Sequence, residues 1–231
     1  MYSRFNVKQF CQRKIRKIRH RKGYGVHSPF AYGLITKVIE EKSGYYAYKQ
    51  IEDLHRTLHD RQNFNKRKCR LLSRLANRRC IIECGSEDGY STLYLQKGCP
   101  TARLFCIEPD PIRRATAEQL LMHLPGNVTY IDRTIPEGLS FLHGEELDQH
   151  LIYLHSLSDA SQYQEAFEKI SPHLCEKSII IIDGIRQEKG IFRVWENFSR
   201  NEKIRVTFDL YNLAIAICNP KLNKQNYIVA F

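Results

Sequence analysis

The stretch that most restricts what this chain can fold into is Cys80-Ile81-Ile82-Glu83-Cys84-Gly85-Ser86-Glu87-Asp88-Gly89-Tyr90-Ser91-Thr92-Leu93-Tyr94-Leu95. A short apolar run closing on an acid, then a turn bracketed by two glycines, then a helix-like opening reads as strand, ligand loop and helix. Gly85 can adopt backbone angles closed to other residues and lets the main chain touch a ligand; Gly89 does the same where the helix begins. Dinucleotide spacing, G-x-G-x-x-G counted from Gly85, would fall on Glu87 and Tyr90 and put a carboxylate where a pyrophosphate must approach. No G-x-x-x-x-G-K-[ST] occurs, and the turn holds no lysine, so a P-loop fails as well. S-adenosylmethionine (SAM) differs in carrying a sulfonium and an ammonium at its reactive end, with which acids at 83, 87 and 88 are compatible. The alternative is an ordinary strand-to-helix turn.

From Arg79 onward strands and helices alternate, which argues for a parallel sheet covered on both faces. The strands predicted are Cys80–Cys84, Arg103–Ile107, Asn127–Asp132, Leu151–His155 and Ser178–Asp183, with helical stretches near 90–97, 111–123, 136–143, 160–173 and 187–200. Upstream, Ser28 and Pro29 mark a helix start, and Phe30, Leu34, Ile35, Val38 and Ile39 its apolar face. Residues 46–62 and 66–78 are predicted helical, with Leu71, Leu72 and Leu75 on the apolar face of the second. After Asn201 come three short strands, 206–210, 213–217 and 227–231. Ligands of such sheets sit beyond the carboxyl ends of the strands, so Glu108, Asp132, His155 and Asp183, each at or just past a strand end, are candidate site residues.

The glycine turn with Ser91 and Thr92 resembles motif I of the class I SAM-dependent methyltransferases, in the G-x-x-x-G-x-S-T form of the catechol-type O-methyltransferases. Gly25-Val26-His27-Ser28-Pro29-Phe30, followed by Ile35-Thr36-Lys37-Val38-Ile39-Glu40-Glu41-Lys42, resembles the opening of a group of class I methyltransferases common in Bacteroidetes; the likeness covers most of residues 23–231. It implies an α/β, Rossmann-like, mostly parallel sheet with antiparallel C-terminal strands. Residues 1–78 would form a basic N-terminal helix and a helical cap, and residues 79–231 the SAM-binding domain. SAM would be the cofactor, touched by Glu83, Gly85, Ser86, Gly89, Tyr90, Ser91, Glu108, Asp132 and His155. Glu108 would accept hydrogen bonds from the ribose hydroxyls, its other reading being a solvated acid before Pro109. Asp132 would lie near the adenine, or else only form a turn.

The sequence departs from the catechol-type pattern at two positions. Those enzymes bind a divalent cation with an acid after the fourth strand and an Asp-Asn pair after the fifth, where this chain has His155 and Asp183-Gly184. One carboxylate and an imidazole suit Mg2+ or Ca2+ poorly, so the expectation is a metal-independent enzyme. The first substitution also removes an acid near the methionine end of SAM, which leaves loss of catalysis as an alternative. Transfer is a direct displacement, so the chain must align an acceptor and take a proton from it. Candidate bases are His155 and Asp183, with His27 third; His27 is otherwise a packing residue. A small O- or N-acceptor is favoured over RNA, since no Asn-Pro-Pro-Tyr motif and no paired-cysteine signature occurs. The rival reading is a non-catalytic module of the same fold that binds nucleic acid through its basic arm.

Of 36 Lys and Arg against 25 Asp and Glu, residues 1–39 hold ten bases and no acid. Val7, Cys11, Ile15 and Ile18 recur at helical spacing among nine of those bases, a basic amphipathic helix. Residues 4–22 could meet nucleic acid or an anionic surface, or lie on the domain by the thin apolar stripe with the charges solvated. The eight cysteines form no pair of C-x-x-C units, so reduced core thiols are expected; Cys80 and Cys84 are core residues before they are half a metal site. With no apolar segment behind the basic start and no run of membrane-span length, a cytoplasmic protein of undetermined oligomeric state is expected.

Overall fold

The computed structural model describes residues 7–20, 23–57, 64–78, 80–123, 126–142, 150–155 and 157–231. Its strands are β1 (Cys80–Cys84), β2 (Arg103–Ile107), β3 (Val128–Ile131), β4 (His150–Leu154), β5 (Ile179–Asp183), β6 (Val206–Asp209), β7 (Leu213–Ile217) and β8 (Gln225–Ile228). They form one sheet in the order β3-β2-β1-β4-β5-β7-β6-β8. β1 pairs in parallel with β2 on one side and β4 on the other, so the strand order reverses at β1 and opens a crevice at its carboxyl end.

Successive side chains of a strand point to opposite faces, and the two faces carry separate cores. Cys80, Ile82 and Cys84 pack with Phe167, Trp195 and Phe198 from helices α8 (Ala160–Ile170) and α9 (Lys189–Ser199), and with Leu139 from α7 (Ile135–Phe141). Ile81, Tyr153 and Ile181 face Ala31 of α2 (Pro29–Leu34) and Leu71, Leu72 and Leu75 of α4 (Lys66–Leu75). A third cluster joins α3 (Tyr46–Thr57), α5 (Tyr90–Gly98) and α6 (Pro111–Met122) through Ile51, Leu93 and Leu120. The four isoleucines Ile179–Ile182 are buried on both faces, as a strand covered on two sides requires. Truncating Ile181 to Ala would cost about 2–5 kcal/mol. Cys80 and Cys84 lie inside an apolar core, and no disulfide joins any described cysteine.

The predicted cap holds: Ser28 Oγ accepts from Ala31 N at 3.3 Å, with Pro29 in the first turn. The next turn, Ile35–Ile39, widens to a π-helix that buries both isoleucines, while Phe30 is turned outward. Of the stretch 46–62 predicted helical, residues 58–62 lie outside the described residues. α4 stops at Leu75, short of 78.

At the C-terminus the expectation of antiparallel strands needs one correction. β7 is antiparallel to β5 and β6, but β8 runs parallel to β6. β7 ends beside Val206, and the chain then crosses the start of β6 and climbs its outer side. Arg205 Nε donates to Leu222 O at 2.9 Å, and Gln225 N to Arg205 O at 2.8 Å, fixing that crossing.

Helix α1 (Val7–Arg19) docks on the β6–β7 end through polar groups. Arg16 makes a two-point pair with Asp209 (2.8 and 3.1 Å), and Tyr211 Oη donates to Gln12 Oε1 at 3.1 Å. Asp209 is also held by Arg186, at 2.8 and 2.5 Å. Burial pushes the Asp209 pKa up, but the two guanidinium groups outweigh it and keep the carboxyl below its usual range. A depressed folded pKa stabilises the fold above the unfolded value, near 3.9, and that stability is lost as pH falls through the folded one. Asp209→Asn should therefore cost about 2 kcal/mol at pH 7, with the gap in melting temperature from wild type closing below about pH 4. An undiminished gap at pH 3 would show that the charge is not what holds α1. No described helix is long and apolar enough to cross a membrane.

Candidate functional site

The turn after β1 is built on left-handed backbone. Gly85, Glu87 and Gly89 have φ of 84°, 48° and 83°. At Gly89 the reason is steric as well as conformational, because a Cβ there would lie 2.9 Å from the Ala117 backbone of α6. Gly89 thus starts α5 and lets α6 approach closely.

Beneath the turn lies a polar cluster. Glu83 is fully buried; its carboxylate accepts from Ser91 Oγ, from Thr92 Oγ1 at 2.6 Å and from Cys106 Sγ at 3.5 Å, with His155 Nε2 at 3.3 Å. A carboxylate inside the protein is tolerable only when its oxygens are satisfied in this way. Ser91 and Thr92 therefore serve the acid of the preceding strand, and His155, stacked on Tyr153 at 4.3 Å, closes the cluster from the end of β4.

Glu108, buried at the end of β2, accepts from Glu87 N at 3.0 Å and Asp110 N at 3.1 Å, tying the turn to the next strand. Asp132 is mostly exposed, at 69%, and pairs with Arg114; that hydrogen bond first, then the guanidinium charge, holds its pKa low. Asp132 is not among the residues lining the neighbouring cavity, where Thr134 and Ile135 stand instead. His27 is exposed and lines none of the three cavities at this end of the sheet.

Those three cavities follow the carboxyl ends of the strands. The first, about 590 Å³, is lined by Gly85, Glu108, Asp110, Thr134 and Ile135. The second, about 180 Å³, lies across the turn and is lined by Ser86, Glu87, Asp88, Tyr90, Ser91 and His155, and by Asn65 and Lys68 of the α4 start. Phe64 stacks on Tyr90 at 4.5 Å, with the His55 ring edge-on to both, and roofs it. The third, about 420 Å³, shares Asn65 and Lys68 and adds Arg67, Asp183, Tyr211 and Phe231. The first and third fall within the roughly 300–1,000 Å³ usual for small-molecule sites. A larger cavity of about 730 Å³ lies at the opposite, amino ends of the strands, away from all these groups.

Between the second and third cavities stands an ion pair, Lys68 Nζ to Asp183 Oδ2 at 2.6 Å, with Tyr153 Oη 3.5 Å from the same oxygen. Burial works against the Lys68 charge, but the Asp183 carboxylate outweighs it and holds the ammonium above the usual lysine pKa. Asp183 is fixed further by a bond from Gly184 N at 2.9 Å, and its carbonyl accepts from Tyr163 Oη at 2.6 Å. Sequence reasoning missed Lys68, although a signal existed: positions 68, 71, 72 and 75 follow i, i+3, i+4, i+7, so Lys68 is a charge on the buried face of α4. Tyr211, between β6 and β7, sits in left-handed backbone at φ 81°. A bulky side chain held there against its conformational preference marks a turn fixed by its surroundings: its N–H donates to Asp209 at 2.8 Å and Arg186 binds its carbonyl.

Residues 82–185 match the family described as Methyltransferase domain. No curated protein matches the sequence. Among solved structures, a Podospora anserina methyltransferase with SAH bound is similar at 15% identity and TM-score 0.62, over 83% of this chain and 96% of that one. The O-methyltransferase TomG of Streptomyces achromogenes, in complex with SAM, is similar at 16% identity and TM-score 0.57, over 77% and 91%. An O-methyltransferase of Bacillus cereus, in complex with SAH, is similar at 16% identity and TM-score 0.56, over 81% and 96%. Residues 82–185 thus match a methyltransferase-domain family, and the strand reversal at β1 with the glycine turn beyond it gives this chain the fold of those methyltransferase structures.

Proposed function

We propose that this domain is a working, metal-independent methyltransferase acting on a small O- or N-acceptor, with SAM laid across the carboxyl ends of β1 and β2 and the acceptor beside β5. SAM supplies an electrophilic methyl group on a cationic sulfur. The donor set fits it: Glu108 for the ribose hydroxyls, the main chain of the Gly85–Ser86 turn against the ligand, and Glu87 and Asp88 for the cationic end. Gly89, Tyr90 and Ser91 shape the turn and its wall, and Glu83 and His155 act from beneath by fixing Ser91 and the floor. Asp132 would contribute only by moving off Arg114. The start of α4, through Asn65, Arg67 and Lys68, borders the acceptor side.

The observation that carries the reading is the Lys68–Asp183 pair at the boundary of the second and third cavities. An acceptor oxygen or nitrogen in the third cavity attacks the methyl carbon with its lone pair; the carbon–sulfur bond breaks and its electrons return to sulfur. The released proton needs a base, and Asp183 faces that cavity, whereas His155 is engaged with Glu83. The same pair supports metal independence, because the Asp183 oxygen is already neutralised by an ammonium.

The test is incubation with methyl-labelled SAM and fractionated cell extract. Label should enter a low-molecular-weight fraction and survive EDTA. Loss with EDTA and return with Mg2+ would refute metal independence. Polyanion binding with no SAM binding would favour the nucleic-acid module.

A further inference from the structure

Ile15 and Ile18, the described part of the apolar row of α1, do not face the body. At about 100° per residue, the docking residues Gln12 and Arg16 lie about a third of a turn from Ile15 and Ile18. Ile15 is 50% and Ile18 77% exposed. A helix that packs on its own domain buries its apolar row and solvates its charges; here, among the described side chains, Arg16 and Gln12 make the contact and the two isoleucines are left outward. By helical position, exposed Lys14 and Arg19 flank the row on either side, and exposed Lys17 lies beyond Lys14. Tyr24, shortly after the helix, is 84% exposed. The sequence spacing continues the row to Val7 and Cys11, whose side chains lie outside those described.

We propose that this outer face of α1 is a docking surface for an anionic lipid bilayer. Phosphates alone would account for the cations but give the isoleucines nothing to do. An apolar row bordered by cations whose stems reach out to headgroups fits an interface, and the absence of any acid in residues 1–39 removes repulsion from it. The docked face then keeps the catalytic body above the membrane, with Tyr211 linking α1 to the third cavity.

The experiment is co-sedimentation of the full chain with vesicles of about 70% phosphatidylcholine and 30% phosphatidylserine at about 100 mM salt. Pure phosphatidylcholine vesicles and anisotropy on a single-stranded RNA serve as comparisons. Binding to the anionic vesicles alone is expected. Each cation near such a surface is worth about fivefold in partitioning, so the triple variant K14Q/K17Q/R19Q should bind about 100-fold more weakly. Ile15→Ser with Ile18→Ser should weaken binding about tenfold or more. Both variants change exposed side chains, so unchanged melting temperature and SAM affinity would verify the fold. No binding to anionic vesicles would overturn the proposal. So would vesicle binding indifferent to the two isoleucines, or RNA binding tighter than vesicle binding.

Discussion

Gly89→Ala should destabilise the domain by about 3–4 kcal/mol, a large part of the roughly 5–15 kcal/mol that holds a domain folded. Two separate costs add. A left-handed φ of 83° costs a residue with a Cβ about 1–2 kcal/mol, and that Cβ would sit 2.9 Å from both Cα and Cβ of Ala117, an overpacking of about 1–3 kcal/mol. Because the clash is with backbone, no side-chain rotation relieves it: α6 must move off α5. Chemical denaturation would measure the loss. A shift under 1 kcal/mol would mean that Gly89 is present for a ligand's approach and not for packing.

At the acceptor end, Asp183→Asn should lower kcat by about 10²- to 10⁴-fold while leaving SAM affinity within about twofold. Lys68→Met tests the coupling between the pair: without the ammonium that holds the Asp183 oxygen at 2.6 Å, the carboxylate loses its fixed place beside the third cavity, so kcat should fall while SAM affinity stays within about twofold, and Lys68→Arg should restore kcat in part. A merely structural Lys68 would lower the melting temperature and leave kcat at the wild-type value. Equal activity in Asp183→Asn and wild type would remove Asp183 from the chemistry.

The parallel half of the sheet was readable because each strand is an apolar run bounded by turn residues. Ends agree to within a residue at β1, β2 and β5, where Cys80, Arg103 and Asp183 fall as expected. The direction of β8 was not readable: pairing depends on which edge is open when the chain arrives, and nothing local in Gln225–Ile228 encodes that. Glu83 and Ser91 were legible as residues but not as a pair, since a strand side chain turned beneath its own loop is a tertiary fact. Lys68 was legible and passed over, its charge lying on the buried spacing of α4. Asp209 could not be found from sequence, because Arg16 reaches it across 193 positions. For α1 the helical periodicity was legible but left open which face meets the body: Ile15 and Ile18 are exposed while Arg16 pairs with Asp209, so a tertiary polar contact decides it.

The central claim, that SAM lies across the ends of β1 and β2 with its ribose on Glu108, is tested most directly by calorimetric titration of SAM into wild type and Glu108→Ala, with melting temperatures as the check on folding. The account predicts one SAM per chain for wild type, and affinity about 10- to 150-fold weaker in the variant, the equivalent of roughly 1.5–3 kcal/mol in lost charge-assisted hydrogen bonds. Equal affinity in a folded Glu108→Ala, or no SAM binding to the wild-type chain, would contradict it.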